Sequence, residues 1–247
     1  MRSELHRAIS QWSRVVPELF TCGELHDDRY DESLLTAILL PTMEQIGLLQ
    51  GTEEPAPVRL PRRRRLFPRH RRLASRLIIY RLPPAPMGEL GFVGFIGKKR
   101  AGLSAEVVER INKLDLALVH ELVRFPELVS YASLQLSDGN WGNLVLFTQP
   151  SLLEGLRTSQ RHRYAAFDLA PSYYEWVRLH QGTVFCAGPL PVLMRETTRY
   201  YVFDEALPRP LLHVSYSRQA RQGPDVKVGK GSGQDLAGKR DLEEASA

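Results

Sequence analysis

Leu128-Val-Ser-Tyr-Ala-Ser-Leu-Gln-Leu-Ser-Asp-Gly-Asn-Trp-Gly-Asn-Leu-Val-Leu-Phe147 is the stretch whose reading decides the fold. Residues 128–136 alternate well enough for a half-buried strand. Ser137-Asp-Gly-Asn140 is a turn of the Asp-Gly kind, in which glycine takes the positive φ of a tight hairpin. Trp141–Phe147 then runs back as the partner strand. Upstream, Ser104 offers a helix N-cap with Glu106 in the first turn. Val107, Ile111, Leu114, Leu118 and Leu122 form one apolar stripe at helical spacing, and Pro126 closes that helix.

Earlier still, Leu90-Gly-Phe-Val-Gly-Phe-Ile96 reads as a strand, with Gly91, Gly94 and Gly97 thinning one face. Beyond the hairpin, Pro150 suits the first turn of a helix carrying Leu152, Leu153 and Leu156, which continues, broken, to Leu169. The aromatic run from Tyr173 to His180 favours a strand with Tyr174, Trp176, Arg178 and His180 on one side. From residue 89 the order is strand, helix, strand, strand, helix, strand. That is the split β-α-β pattern of a ferredoxin-like α+β fold. Leu77–Leu82 and Glu196–Phe203 are further strand candidates that could pair with each other. A sheet of this kind has helices on one face only, so a partner sheet, an inserted segment or a ligand must cover the other.

The expected organisation is a helical N-terminal extension at 1–55, an Arg/Pro-rich linker at 56–76, a ferredoxin-like domain at 77–216 and a disordered tail at 217–247. In the extension, Leu5, Ile9, Trp12, Val15 and Val16 recur at helical spacing, and a second run, Ser33–Leu40, ends at Pro41. The tail holds Gly223, Gly229, Gly231, Gly233 and Gly238 among polar residues, with too little apolar surface to offset the entropy of ordering.

Charge is strongly partitioned. Residues 1–55 carry 4 Lys/Arg against 10 Asp/Glu, whereas 56–76 carry 9 Arg and no acid. The net +5 of the chain is therefore the work of one short segment. Within it, Arg62, Arg63, Arg64 and Arg65 could follow the phosphates of a nucleic acid or another anionic partner. The plainer alternative is a solvated linker docking on the acidic extension.

The composition, 43% hydrophobic and 25% charged, rules out a fibrous or wholly disordered chain. No stretch approaches a membrane span. The start, Met1-Arg-Ser-Glu-Leu-His6, lacks a secretory core, and two cysteines, Cys22 and Cys186, are too few to staple the fold; the expectation is a cytoplasmic protein. There is no zinc-ligand spacing, phosphate loop, dinucleotide fingerprint or nucleophile elbow.

The element order, together with Leu156-Arg-Thr-Ser-Gln-Arg-His162 in the second helix and Phe147 at a strand end, resembles the dimeric α+β barrel superfamily, which includes antibiotic-biosynthesis and haem-degrading monooxygenases. The resemblance covers about residues 89–181. The upstream histidine of that family's common pattern is absent, its place falling near Leu156. The resemblance implies a homodimer of face-to-face sheets with a small-molecule pocket in each subunit, haem or a quinol or polyketide being the ligand classes.

Two functional readings stay open. In the first, the pocket binds an apolar or aromatic molecule and oxidises it. His162, His180 and Asn140 are then the catalytic candidates, with His162 and His180 as haem ligands or proton-transfer groups and Asn140 positioning an oxygen. Tyr131, Trp141, Phe147, Tyr174 and Trp176 line the pocket, and Arg178 meets a ligand carboxylate. In the second, the chain is a non-enzymatic dimerisation or interaction protein, and the basic segment makes the contacts. Each residue also has a plain role: solvated helix for His162, turn for Asn140, core or interface for the aromatics. A closed pocket holding His162 or His180 would favour the enzyme; a filled barrel would favour the interaction protein.

Overall fold

The computed structural model describes residues 20–51, 62–67, 74–84, 87–204 and 210–216. The helical pattern expected within residues 1–19, Arg69–Arg72 and the tail from Ser217 lie outside the described residues.

Among the described residues the architecture is α+β: one antiparallel sheet of eight strands, with helices on both faces where helices on one face only were expected. The strands are β1 (Arg62–Arg64), β2 (Ser75–Ile79), β3 (Glu89–Lys99), β4 (Leu128–Gln135), β5 (Trp141–Phe147), β6 (Tyr174–Phe185), β7 (Val192–Val202) and β8 (Leu211–Tyr216). They lie in the order β1-β2-β4-β5-β3-β6-β7-β8. The quoted hairpin forms as read, Gln135 opposite Trp141 and Ala132 opposite Leu144, with Gly139 at φ 77° in its turn. Glu196–Phe203 does not pair with the run from Leu77. β7 folds back on β6 through a short connection, and β2 pairs with β4 toward the opposite edge. Strands adjacent in sequence close the cheaper loop.

Helix α1 spans Asp31–Gln50, α2 Ala105–Glu121, α3 Ser151–Thr158, α4 Gln160–Arg163 and α5 Ala170–Tyr173. As read, Ser104 caps α2, its Oγ accepting from the Val107 N–H at 3.2 Å. Helices α2 to α5, with a π-helical turn at Tyr164–Leu169, cover one face, which we call the back. There Val119, Leu122 and Leu152 pack on Ile78, Leu128 and Phe147.

The front face is covered by α1. Leu34, Leu35, Ile38, Met43 and Ile46 share a core with Leu77, Phe92, Ile96, Leu134, Leu144 and Leu146. The helix does not stop at Pro41. It runs through it, and residues 37–43 are buried without a break, the pattern of a helix covered all round. The Thr42 hydroxyl donates to the Ile38 carbonyl at 2.8 Å in the turn where proline lacks an N–H.

Strand parity divides the three glycines of β3 between the faces. A Cβ at Gly94 would come 2.6 Å from Leu35 of α1, on the front. One at Gly91 would meet the Phe147 ring at 2.1 Å, and one at Gly97 the Tyr174 ring at 2.7 Å, both on the back. These glycines therefore open three separate seats and do not thin a single face.

Candidate functional site

The front face carries a buried ionic centre where β6 meets the start of α1. Arg178 is wholly buried, and its five N–H groups are all used. Nε donates to Asp31 Oδ2 at 2.7 Å and Nη2 to Asp31 Oδ1 at 2.8 Å, a two-pronged pair. Nη2 also donates to the Cys22 carbonyl at 2.7 Å, and Nη1 to the carbonyls of Glu24 and Leu25 at 2.6 and 3.2 Å. The guanidinium lies 4.5 Å over the Trp176 ring. Asp31 stands in the first turn of α1, where unpaired backbone N–H groups favour a carboxylate.

His180, also wholly buried, completes the centre. Nε2 donates to Asp31 Oδ2 at 2.8 Å, since a carboxylate can only accept, and Nδ1 meets Thr198 Oγ1 at 2.9 Å. The Asp-His-Thr chain has the contacts of a nucleophile relay. Access decides against that use: Thr198 is 2% exposed and faces packed protein. A haem ligand needs an open ring nitrogen, and both of His180 are engaged.

What the centre does is fasten the chain from Cys22 to Asp31 onto the sheet. Neighbouring contacts add to it. Arg195 reaches Asp28 at 2.5 Å, and the Tyr200 hydroxyl donates to Asp28 at 3.0 Å. An open depression of about 590 Å³ beside this segment is lined by Glu24, Leu25, His26, Asp27 and Arg29, and no candidate residue from the sequence lies in it.

Of the residues expected to share a pocket, Trp176, Arg178 and His180 do come together on the front, as packing. Tyr174 does not join them. A register shift at Lys98/Lys99 turns it to the back, where it meets Tyr173 and Phe95 edge-on at 4.7 and 5.4 Å. Phe147 fills the back core. Trp141 opens β5 opposite Gly97. Tyr131 lies under the Arg76 guanidinium at 5.0 Å, its phenol pushed up to about 12 by burial and then by Asp115. Asn140 ties the turn to its neighbours: its Oδ1 accepts from the Lys99 N–H of β3 at 2.9 Å and its Nδ2 donates to Cys22 Sγ at 3.1 Å. Burial first, then Asp138, raises that thiol to about 12, so it stays protonated and unreactive.

His162 sits in α4, in the back helical layer and on the other side of the sheet from His180. It is half-buried; burial lowers its pKa, against an opposing pull from Glu121. The structure thus separates the two histidines that the enzyme reading joined. Asp31 and Thr198, missed in the sequence, are what His180 contacts. The available signal was an arginine in an apolar strand, which must find a carboxylate.

The basic segment is placed at the sheet's edge. Arg62–Arg64 pairs with β2 as Arg62 opposite Ile79 and Arg64 opposite Leu77. Leu66 and Phe67, 4% and 5% exposed, anchor it in the front core. Arg64 and Arg65 are exposed. Arg76, at the start of β2, is bound to Asp115 at 2.8 Å. Among the described residues no cluster of His, Cys, Asp and Glu is arranged to hold a metal, and no helix is long and apolar enough to cross a membrane.

No protein-family model, curated protein or solved structure matches this chain.

Proposed function

We propose that this chain is a non-enzymatic interaction protein whose arginine-bearing sheet edge contacts the phosphate backbone of a nucleic acid. The central order β4-β5-β3-β6, with α2 and then α3 to α5 as crossovers, supports a ferredoxin-like βαββαβ core extended by strands at both sides. The likeness to dimeric α+β barrels is retained for that order alone. In such a barrel the front faces of two sheets meet, and here α1 takes that position.

One observation carries the reading. The groups a small-molecule site would use, Arg178 and His180, have every polar atom engaged inside the chain, while Arg64, at the end of β1, and Arg65 just after it are solvent-facing beside the anchors Leu66 and Phe67. The run 56–76 contains no acid to neutralise them. Phosphate contacts of this kind bind by releasing counterions and are read in the salt dependence, at about 0.9 in log–log slope per contact on duplex DNA.

Fluorescence anisotropy of the full chain with a labelled oligonucleotide tests it, at salt from about 50 to 200 mM. Affinity should fall steeply with salt, and Arg62–Arg65→Ala should both weaken binding and flatten the slope. Absence of binding at low salt, or binding indifferent to salt, contradicts the proposal. A haemin-induced Soret shift lost in His162→Ala would instead restore the small-molecule reading.

A further inference from the structure

We infer that β8 is the contact through which two copies of the chain associate, edge to edge, into one continuous antiparallel sheet. This does not depend on nucleic-acid binding. Among the described residues β8 is last in the strand order and pairs only with β7, so alternate N–H and C=O groups along it face away from the sheet. Its sequence, Leu211-Leu-His-Val-Ser-Tyr216, contains no Lys, Arg, Asp, Glu or Pro. Leu211, Leu212 and Tyr216 are 57%, 55% and 57% exposed. Proteins ordinarily blunt such an edge with charge or proline.

The two edges of this sheet differ in that respect, and the difference selects the partner. β1 is three consecutive arginines. A second β1 laid against it would set like charges opposite one another. Pairing β1 of one copy with β8 of the next repeats without closing and makes a filament. Pairing β8 with β8 closes as a two-fold dimer and places no charged side chain opposite another. Nor is the chain's own continuation a suitable occupant: residues 217–247 hold only Val226 and Val228 as β-branched residues among 11 charged ones. The front face is closed to a second copy by α1.

Strand parity restricts the register. The outward-facing groups belong to every second residue, and in an antiparallel pair outward residues must meet outward residues. The two-fold axis therefore passes through a residue and its own copy, never between two residues. An axis at Val214 puts Leu212 of each copy opposite Tyr216 of the other, on one face with the two valines. An axis at His213 sets two imidazoles against each other and Leu211 opposite Ser215. The first gathers Leu212, Val214 and Tyr216 of both copies on one face, leaving His213 opposite Ser215 on the other, and is the register we assign.

Sedimentation equilibrium on the full chain, from low to high micromolar loading, tests the assignment. A reversible monomer–dimer equilibrium is expected. Leu212→Lys/Tyr216→Lys puts lysines opposite lysines and should return the chain to monomer with its circular dichroism unchanged, both sites being more than half exposed. Arg64→Ala should leave the dimer intact. If the double variant does not fold, Leu212→Lys alone serves, with a weaker dimer expected. A monomer at every loading, a dimer indifferent to the lysines, or growth into larger assemblies overturns the inference.

Discussion

Arg178 is a cation wholly buried in the protein, and a charge in that position is tolerable only when every donor is answered. The carboxylate of Asp31 answers two of its N–H groups, and the carbonyls of Cys22, Glu24 and Leu25 the rest. Removing one partner is costly because it strands the others. Arg178→Met should destabilise the protein by about 3–5 kcal/mol in urea unfolding. Arg178→Lys should recover little of that, since a lysine cannot offer a planar fork. If Arg178→Met leaves the unfolding midpoint where it is, the network is not what fastens the segment. At this scale the sequence identified Trp176, Arg178 and His180 as a group on one strand side. It did not reveal that their partner is Asp31, 147 residues from Arg178, because nothing local records a contact that distant. Tyr174 was misassigned for a local reason: one bulge reverses the parity of every residue before it.

Among the elements, those governed by short-range signals were legible. The Ser104 cap, the 128–147 hairpin and the β3 strand all depend on neighbouring residues. Helix α1 was only half read, because a proline is a reliable stop in solvent but a buried helix can carry one when packing on both sides of it holds the turn together. β8 was not read at all, being short and without the alternation of a half-buried strand. The seat of α1 depends on one glycine. A Cβ at Gly94 would lie 2.6 Å from a Leu35 side chain that is itself wholly buried and cannot swing aside. Gly94→Ala should therefore cost about 1–3 kcal/mol by overpacking, measured as a shift in the thermal midpoint converted to free energy. No loss at Gly94 would mean that α1 lies farther from β3 than this packing requires.

At the scale of the whole molecule, the covering of both faces decides the rest. With α2 to α5 on the back and α1 on the front, the two edges are what the described residues leave uncovered, one basic and one uncharged. The expectation of helices on one face only was wrong: α1, from the N-terminal extension, covers the front, and the pocket expected there loses its open face. The acidic, helical character of residues 1–55 could not show this, since a helix this apolar will pack on any exposed face. The measurement that bears most directly on the account is native-state hydrogen exchange of the full chain. If α1 is part of the front core, its central amides around Ile38 and Leu39 should exchange only with the slowest amides of β3, through global unfolding. Rapid exchange across α1 while β3 stays protected would contradict it, for the face would then stand open and a pocket beside His180 would return as the chain's working site.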